Sequence, residues 1–115
     1  MKAFRTLAIL TFLILLISCG GKEVKVELVH NHVNLPTIQC GMCKSSIEAK
    51  VGKLKGVKSV VVDLENKEGH IEFDKATIKL TEVEKAIAAM GYQANNLAGN
   101  QEAYKKLPAC CKIPE

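Results

Sequence analysis

The chain has no tryptophan and only five aromatic residues, two tyrosines and three phenylalanines. Proteins that bind single-stranded nucleic acid stack bases on aromatic side chains beside a basic groove. The positive charge is also small, since 16 basic residues face 12 acidic ones and the lysines are scattered along the chain. The small number of aromatic residues and the weak positive charge of the chain both argue against nucleic acid as a partner.

The sequence also lacks an apolar run of the roughly 20 residues that a comfortable transmembrane helix needs. Its longest run, Leu7–Ile17, follows Lys2 and Arg5 and precedes the small residues of Ser18–Gly20. A charged start, a short apolar stretch and a small-residue end are typical of a secretory signal. We expect residues 1–18 to be such a signal, with a single N-terminal membrane anchor as the alternative.

The end of this signal, Leu16-Ile17-Ser18-Cys19, resembles the bacterial lipobox, in which the chain is cut before a cysteine that is then lipidated. We therefore expect Cys19 to carry lipid and to anchor the protein in the cell envelope, on the periplasmic side of a bacterial membrane. The remaining 97 residues hold 14 basic and 12 acidic side chains, a net charge of +2. That length is enough for one small domain.

Four cysteines follow the lipidation site, as one x-x-spaced pair, Cys40 and Cys43, and one adjacent pair, Cys110 and Cys111. Exported proteins often pair their cysteines in disulfides. A disulfide scaffold, however, spreads its cysteines along the chain. Two tight clusters are more typical of metal-ligand sets. Cys40 and Cys43 stand where a helical pattern begins. A helix N-terminus favours the thiolate, the form that binds soft metals.

Hydrophobic periodicity predicts the element order β-α-β-β-α-β. This is the ferredoxin-like arrangement of the α+β class, with a four-stranded antiparallel sheet and two helices on one face. The predicted strands cover 33–39, 57–64, a segment around 71–73, and 92–95, and the predicted helices cover 44–55 and about 81–90. The predicted divisions are a signal peptide (1–18), a membrane tether (19–32), a domain (33–96) and a tail (97–115).

Three polar residue types need an interpretation within this plan. Thr81, with Glu84 three residues later, matches a capping box for the second helix. His30 and His32 fall in the tether, where we expect them to be solvated rather than to supply nitrogen ligands. His70 is expected on the outer face of its strand and therefore not at the thiols.

Several short motifs resemble the heavy-metal-associated domain family, which includes copper chaperones, soluble modules of copper-pumping ATPases and periplasmic mercury-binding proteins. The resemblance covers about Val33 to Asn95. The matching motifs are Cys40-Gly41-Met42-Cys43, Ile47-Glu48, Gly56-Val57, Val60-Val61-Val62-Asp63-Leu64, Phe73-Asp74 and Gly91-Tyr92. The resemblance implies that Cys40 and Cys43 are the metal thiolates, and that Tyr92 lies near the metal loop and limits solvent there.

The chain departs from the family pattern around these cysteines. Ile38 stands where the family usually has methionine, and it is apolar enough to fill the same space. Met42 is either a thioether ligand or, as we favour, an apolar cover for the loop. The pair Cys110 and Cys111 has no counterpart in the family. The sequence leaves four roles open for this pair. It could fold back to complete a three- or four-sulfur site, form a second weak site, make an intermolecular contact, or form a redox-active disulfide.

Two thiolates suit a d¹⁰ ion of low coordination number, Cu(I) above all or Hg(II), whereas Zn(II) generally takes four ligands. The favoured function is that the protein, as a monomer, captures such an ion and transfers it to a metal-transporting ATPase or efflux component.

We do not expect an enzyme, because no nucleophile–base couple is visible in the sequence. One alternative is a thiol–disulfide oxidoreductase, since thioredoxins also place Cys-x-x-Cys before a helix. Another is a metal-sensing or interaction lipoprotein.

Overall fold

The structure is a computed structural model that describes residues 20–21, 23 and 25–115, so the predicted signal and Cys19 lie outside the described residues. No helix in this described part is long and apolar enough to cross a bilayer. The strands are β1 (Leu28–Asn34), β2 (Val57–Asp63) and β3 (Glu68–Asp74). The helices are α1 (Gly41–Gly52), α2 (Leu80–Ala89) and the short α3 (Gln101–Lys105), followed by a 3₁₀ turn (Ala109–Cys111).

The three strands form one antiparallel sheet in the order β1-β3-β2. Successive side chains of a strand point to opposite faces, so the alternating sequence separates an apolar face from a polar one. Val33, Val62, Ile71 and Phe73 are buried on the face toward the helices. This sheet and its helical cover confirm the α+β class and the antiparallel pairing predicted from the sequence.

Both main helices contribute to the same hydrophobic core. Ile47 and Val51 of α1 lie four residues apart, as do Val83 and Ile87 of α2, and all four side chains are fully buried. Four-residue spacing places each pair on one helix face. Complete burial of such a side chain contributes about 1.5–3 kcal/mol relative to leaving it exposed. The core therefore fixes both helices on one side of the sheet.

The predicted bounds of the first strand and first helix are wrong. β1 begins at Leu28 because residues 28–34 pair one-for-one with β3, from Leu28 opposite Asp74 to Asn34 opposite Glu68. Part of the predicted tether thus belongs to the sheet, and the strand ends before Pro36, which has no backbone N–H to donate. The helix begins at Gly41 rather than at residue 44, and Cys40 is its N-cap in an extended conformation.

The described residues form three strands, and the predicted fourth strand at 92–95 is absent from them. This segment makes one isolated bridge, between Ala94 and Leu97. The Asn95 N–H donates to the Asn34 carbonyl at 2.8 Å, but the Asn34 N–H donates to the Asn95 side chain instead of its backbone. Asn95 has a φ of 51°, a left-handed conformation that interrupts an extended chain.

The predicted capping box at Thr81 and Glu84 is also wrong. The N-cap of α2 is Lys79, whose N–H donates to the Glu82 carboxylate at 2.8 Å. Glu84 instead accepts a 2.6 Å hydrogen bond from the Asn95 side-chain amide. The acidic side chain one turn into α2 therefore stabilises the segment after the helix rather than the helix start.

The C-terminal tail docks on the domain through a close backbone approach. A Cβ atom on Gly99 would overlap the carbonyl oxygen of Gly91, and one on Gly91 would lie 2.7 Å from the Tyr104 amide nitrogen. The Asn100 N–H donates to the Ala88 carbonyl at 2.7 Å, and the Tyr104 hydroxyl accepts from the Ile113 N–H at 2.9 Å. Glycine is required at both contact points because no side chain fits between the two segments.

Gly99→Ala should destabilise the protein by about 1–3 kcal/mol, the usual cost of forcing an extra carbon into a packed site. Gly52→Ala is the matched control, because nothing lies within 4 Å of a Cβ built there. The measurement is urea denaturation of both variants and of wild type. Equal stability of the two variants would contradict the proposed close approach at Gly99.

Candidate metal centre

Four cysteine thiols lie together at one end of the domain, and all four are free. Cys40 is their centre: its Sγ lies 3.3 Å from that of Cys110 and 3.6 Å from those of Cys43 and Cys111. The sulfur atoms of Cys110 and Cys111 are 4.0 Å apart. The structure thus joins two pairs that are about 70 positions apart in the sequence.

The start of α1 positions the first pair. Cys40 is the N-cap and Cys43 lies in the first turn, so both side chains reach the same side of the helix N-terminus. Cys43 is fully buried in the core and Cys40 is half-buried. The first turn of α1 contains no acidic residue, so the positive end of the helix dipole acts on the thiols without a competing carboxylate there.

The 3₁₀ turn at Ala109–Cys111 positions the second pair. Its backbone closes through a 2.9 Å hydrogen bond from the Cys111 N–H to the Pro108 carbonyl, and Leu107 packs against the core just before it. Neighbouring residues of the turn point in different directions, so Cys111 is 1% exposed while Cys110 lies on the surface. One thiol of the tail therefore reaches the interior and the other the open side.

The surroundings shift the pKa values of three of the thiols in different directions. The neighbouring backbone N–H of Cys43, and then the neighbouring Cys110 thiol, favour the Cys40 thiolate and lower its pKa to about 6. Burial, together with a hydrogen bond to Cys43, raises the pKa of Cys111 to about 12. The hydrogen bond to Cys40 raises the pKa of Cys110. At neutral pH Cys40 is therefore far more readily ionised than Cys110 or Cys111.

Two further side chains border the thiols. Tyr92 is 1% exposed, and burial followed by contacts with the thiols of Cys111 and Cys43 raises the pKa of its hydroxyl. Met42 is 55% exposed, and its Sδ lies 3.6 Å from Cys110 Sγ. Tyr92 thus borders the buried side of the cluster, while Met42 stands at its rim. Ile38, two residues before Cys40, is buried in the same hydrophobic core as Cys43 and Cys111.

The spacing of the sulfur atoms matches that of a thiolate metal site. Zinc–sulfur bonds of about 2.3 Å place tetrahedral sulfurs roughly 3.8 Å apart, and the separations from Cys40 and between the tail thiols run from 3.3 to 4.0 Å. Cys40, Cys43 and Cys111 already lie within 4.8 Å of one another as possible ligands. The arrangement can hold a soft ion with two, three or four sulfurs.

The sequence left the position of Cys110 and Cys111 open among four alternatives, and the structure places them beside Cys40. The signal in the sequence is weak, because only Gly91 and Gly99 indicate that the tail returns to the domain. The histidines lie elsewhere, since His30, His32 and His70 are on the sheet face away from the helices. His30 and His32 are exposed as expected, although in a strand rather than a tether.

The lowered pKa of Cys40 predicts a reactive thiol in the metal-free protein. Its alkylation by iodoacetamide should rise with pH through a midpoint of about 6, because the thiolate is the nucleophile, and mass spectrometry locates the modified residue. Cys110→Ala removes the neighbouring thiol that favours the Cys40 thiolate and should raise the midpoint, whereas Cys110→Ser keeps a hydroxyl at that position and should raise it less. An unchanged midpoint in Cys110→Ala would contradict this effect of Cys110 on the pKa of Cys40.

Comparison with known proteins places this cluster in a family context. The model of the heavy-metal-associated domain matches residues 32–93. The copper chaperone CopZ of Enterococcus hirae is 40% identical over 57 residues, which are 50% of this chain and 83% of CopZ. The copper-transporting ATPase 1 of Mus musculus is 43% identical over 70 residues, 61% of this chain but 5% of the ATPase.

A solved structure agrees with these sequence matches. Oxidised MerP from Ralstonia metallidurans CH34 superposes with a TM-score of 0.58 at 25% identity, covering 60% of this chain and 96% of MerP. The residues that match the family model contain Cys40 and Cys43 and exclude the whole tail, residues 97–115. The chain belongs to the heavy-metal-associated domain family.

Proposed function

We propose that the protein captures a soft metal ion, first of all Cu(I), with the thiolates of Cys40 and Cys43 and passes it to a partner by ligand exchange. The observation that carries this proposal is the convergence of four thiols on Cys40, whose pKa is lowered to about 6. Metal ions bind the thiolate, so a thiol that is ionised at neutral pH binds without first losing a proton to solvent.

Copper is the first choice among the soft ions for two reasons. Thiolate and thioether sulfurs select Cu(I) among the biological metals, and every donor in this cluster is sulfur. The similar proteins also include a copper chaperone and a copper-transporting ATPase by name. Hg(II) suits the same pair of thiolates, and Zn(II) becomes a candidate when four thiolates act together.

The tail cysteines are proposed as accessory ligands. Cys111 is buried beside Cys43 and Tyr92, so its thiol can add a third sulfur from the interior side. A metal ion also offsets the cost of ionising this buried thiol, since a coordinated thiol is deprotonated. Cys110 lies on the open side with Met42 and supplies a fourth, exchangeable sulfur.

The unequal exposure of the thiols gives a direction to metal transfer. An incoming thiolate of the partner approaches from solvent and meets Cys110 and Cys40, while Cys43 and Cys111 hold the ion from behind. The first new metal–sulfur bond forms as Cys110 leaves, a second partner thiolate then replaces Cys40, and Cys43 and Cys111 leave last. The ion thus stays sulfur-bound throughout, and the protein makes and breaks only coordination bonds, which is why we propose a carrier and not an enzyme.

The proposed setting is the cell envelope, with the protein as a lipid-anchored monomer. The lipobox-like sequence before Cys19 supports a membrane anchor, and β1 begins at Leu28, so only a short segment separates the anchor from the sheet. We propose a metal-transporting ATPase or efflux component in the same membrane as the partner. A thiolate pair on that partner is the chemistry that ligand exchange requires.

Titration of the reduced protein with Cu(I) against a competing chelator tests the carrier function. We expect tight one-to-one binding that Cys40→Ser/Cys43→Ser abolishes, because the two remaining thiols are one exposed and one buried. Cys110→Ser, at the exposed position, should weaken binding by about tenfold, on the order of one lost outer contact at a metal site. Ser45→Ala, on the exposed surface of α1, is the control and should bind as wild type.

Wild-type affinity no greater than that of the double variant would overturn the carrier proposal. The oxidoreductase alternative would then be favoured if the same protein catalyses disulfide reduction. Tight binding that is unaffected by Cys110→Ser would instead limit the site to Cys40, Cys43 and Cys111.

Cys19→Ala should abolish attachment of fatty acid to the protein, because the proposed lipid is carried by that thiol. The measurement is labelling of bacterial cells with a radioactive fatty acid, followed by isolation of the protein. Ser18→Ala keeps a small residue before the cleavage point and serves as the control. Fatty-acid labelling of Cys19→Ala equal to that of wild type would contradict lipidation at this residue.

A further inference from the structure

All three histidines of the chain converge on the outer face of the sheet, away from the helices. His30 and His32 are two positions apart in β1 and therefore point to the same side, and His70 pairs directly with His32 across β3. The ring centroids of His32 and His70 are 4.5 Å apart, those of His30 and His32 5.3 Å, and those of His30 and His70 6.0 Å.

The imidazole nitrogens are close enough to share one metal ion. One ring nitrogen of each histidine lies within 4.8 Å of the others. A tetrahedral ion with bonds of about 2.0–2.1 Å needs nitrogens roughly 3.4 Å apart, which small side-chain rotations provide on an exposed surface. His30 and His32 are exposed and His70 is half-buried, so an ion from solvent reaches the rings without any rearrangement of the backbone.

Carboxylates surround the three rings. Glu68 Oε2 lies 3.9 Å from His32 Nδ1. Glu72 pairs with His30 in the strand register, and its Oε1 also lies 2.9 Å from Lys58 Nζ. Asp63 at the end of β2 is near enough to His70 for their charges to interact. Acidic groups beside histidine ligands attract a cation and orient the rings.

We propose that His30, His32 and His70 form a second metal site, which binds a divalent ion of borderline softness such as Zn(II). Imidazole suits Zn(II), Cu(II) and Ni(II), whereas Cu(I) is selected by sulfur. Three histidines leave one position of a tetrahedral ion for water or Glu68. The site shares no residue with the thiol cluster, so the two sites differ in both ligand type and preferred oxidation state.

The proposal does not depend on metal transfer by the thiols, and one experiment separates the two. The full chain, in mild detergent and without a histidine tag, is labelled with ¹⁵N and titrated with Zn(II). Long-range ¹H–¹⁵N spectra of the imidazoles report on the three histidines alone, since the chain contains no others. Uptake by the thiols is followed in the same samples through the loss of thiol reactivity.

We expect all three imidazoles to shift together and to saturate with one equivalent of Zn(II) beyond any that the thiols bind. His30→Gln/His70→Gln should weaken this binding by about 100-fold or more, because even outer-shell changes at metal sites cost roughly 10–100-fold. Ser59→Gln is the control, since it lies on the exposed part of β2 outside the cluster. Backbone spectra establish that each variant is folded.

Independent, non-saturating shifts of single histidines would overturn the proposal, as would unchanged Zn(II) affinity in His30→Gln/His70→Gln. Zinc uptake by the thiols with no change at the imidazoles would also overturn it and leave the carrier function intact. Conversely, a concerted imidazole shift without loss of thiol reactivity would support the histidine site, and the Cu(I) titration alone would then decide the carrier function.

Discussion

The position of the sulfur cluster depends on how α1 packs against the sheet. Ile47 and Val51 fix the helix in the core, and the Glu48 carboxylate accepts a 2.9 Å hydrogen bond from the Val62 N–H of β2. These contacts lie one and two turns beyond the cysteines, so they hold the helix start without occupying it. Cys43 then points inward and Cys40 outward by the geometry of a single turn. The fold thereby presents one protected and one accessible thiol.

The docking of the tail on the domain fixes the position of the second pair of thiols, which core packing alone does not do. Backbone contact at Gly91 and Gly99 turns the chain back over the end of α2, and the 3₁₀ turn then delivers two thiols to the first pair. This contact replaces a fourth strand: residues after Gly91 are engaged with the tail and with Asn34 rather than extended along β1. The region beyond the matched family domain thus brings two further thiols beside Cys40.

The two faces of the sheet offer different chemistry because strand geometry separates alternate residues. Val29, Asn31 and Val33 face the helices, and the intervening histidines face solvent. On the helical side the donors are sulfurs near a helix N-terminus, partly shielded from water. On the outer side they are imidazoles among carboxylates. Strand alternation thus keeps the imidazoles on the face opposite the helices, whereas the start of α1 and the 3₁₀ turn position the sulfurs.

Much of the fold is predictable from local patterns. The apolar spacing in α1 and α2, the alternation in β2 and β3 and the position of Cys40 and Cys43 at the start of a helix are all short-range features. The prediction errors occur where contacts distant in sequence set the element bounds. β1 starts at Leu28 because it pairs with β3 there. Asn95 ends the extended segment because its side chain is hydrogen-bonded to Asn34 and Glu84.

The sequence by itself therefore determined the three strands and two main helices as elements, the family, and the Cys-x-x-Cys motif at a helix start, because each depends on residues close together in the chain. Only the tertiary structure decided that Cys110 and Cys111 join Cys40, and that His70 joins His30 and His32. Both groupings come from contacts across about 40 to 70 positions. Such contacts depend on backbone register and on the docking of the tail, and local periodicity carries little information about either.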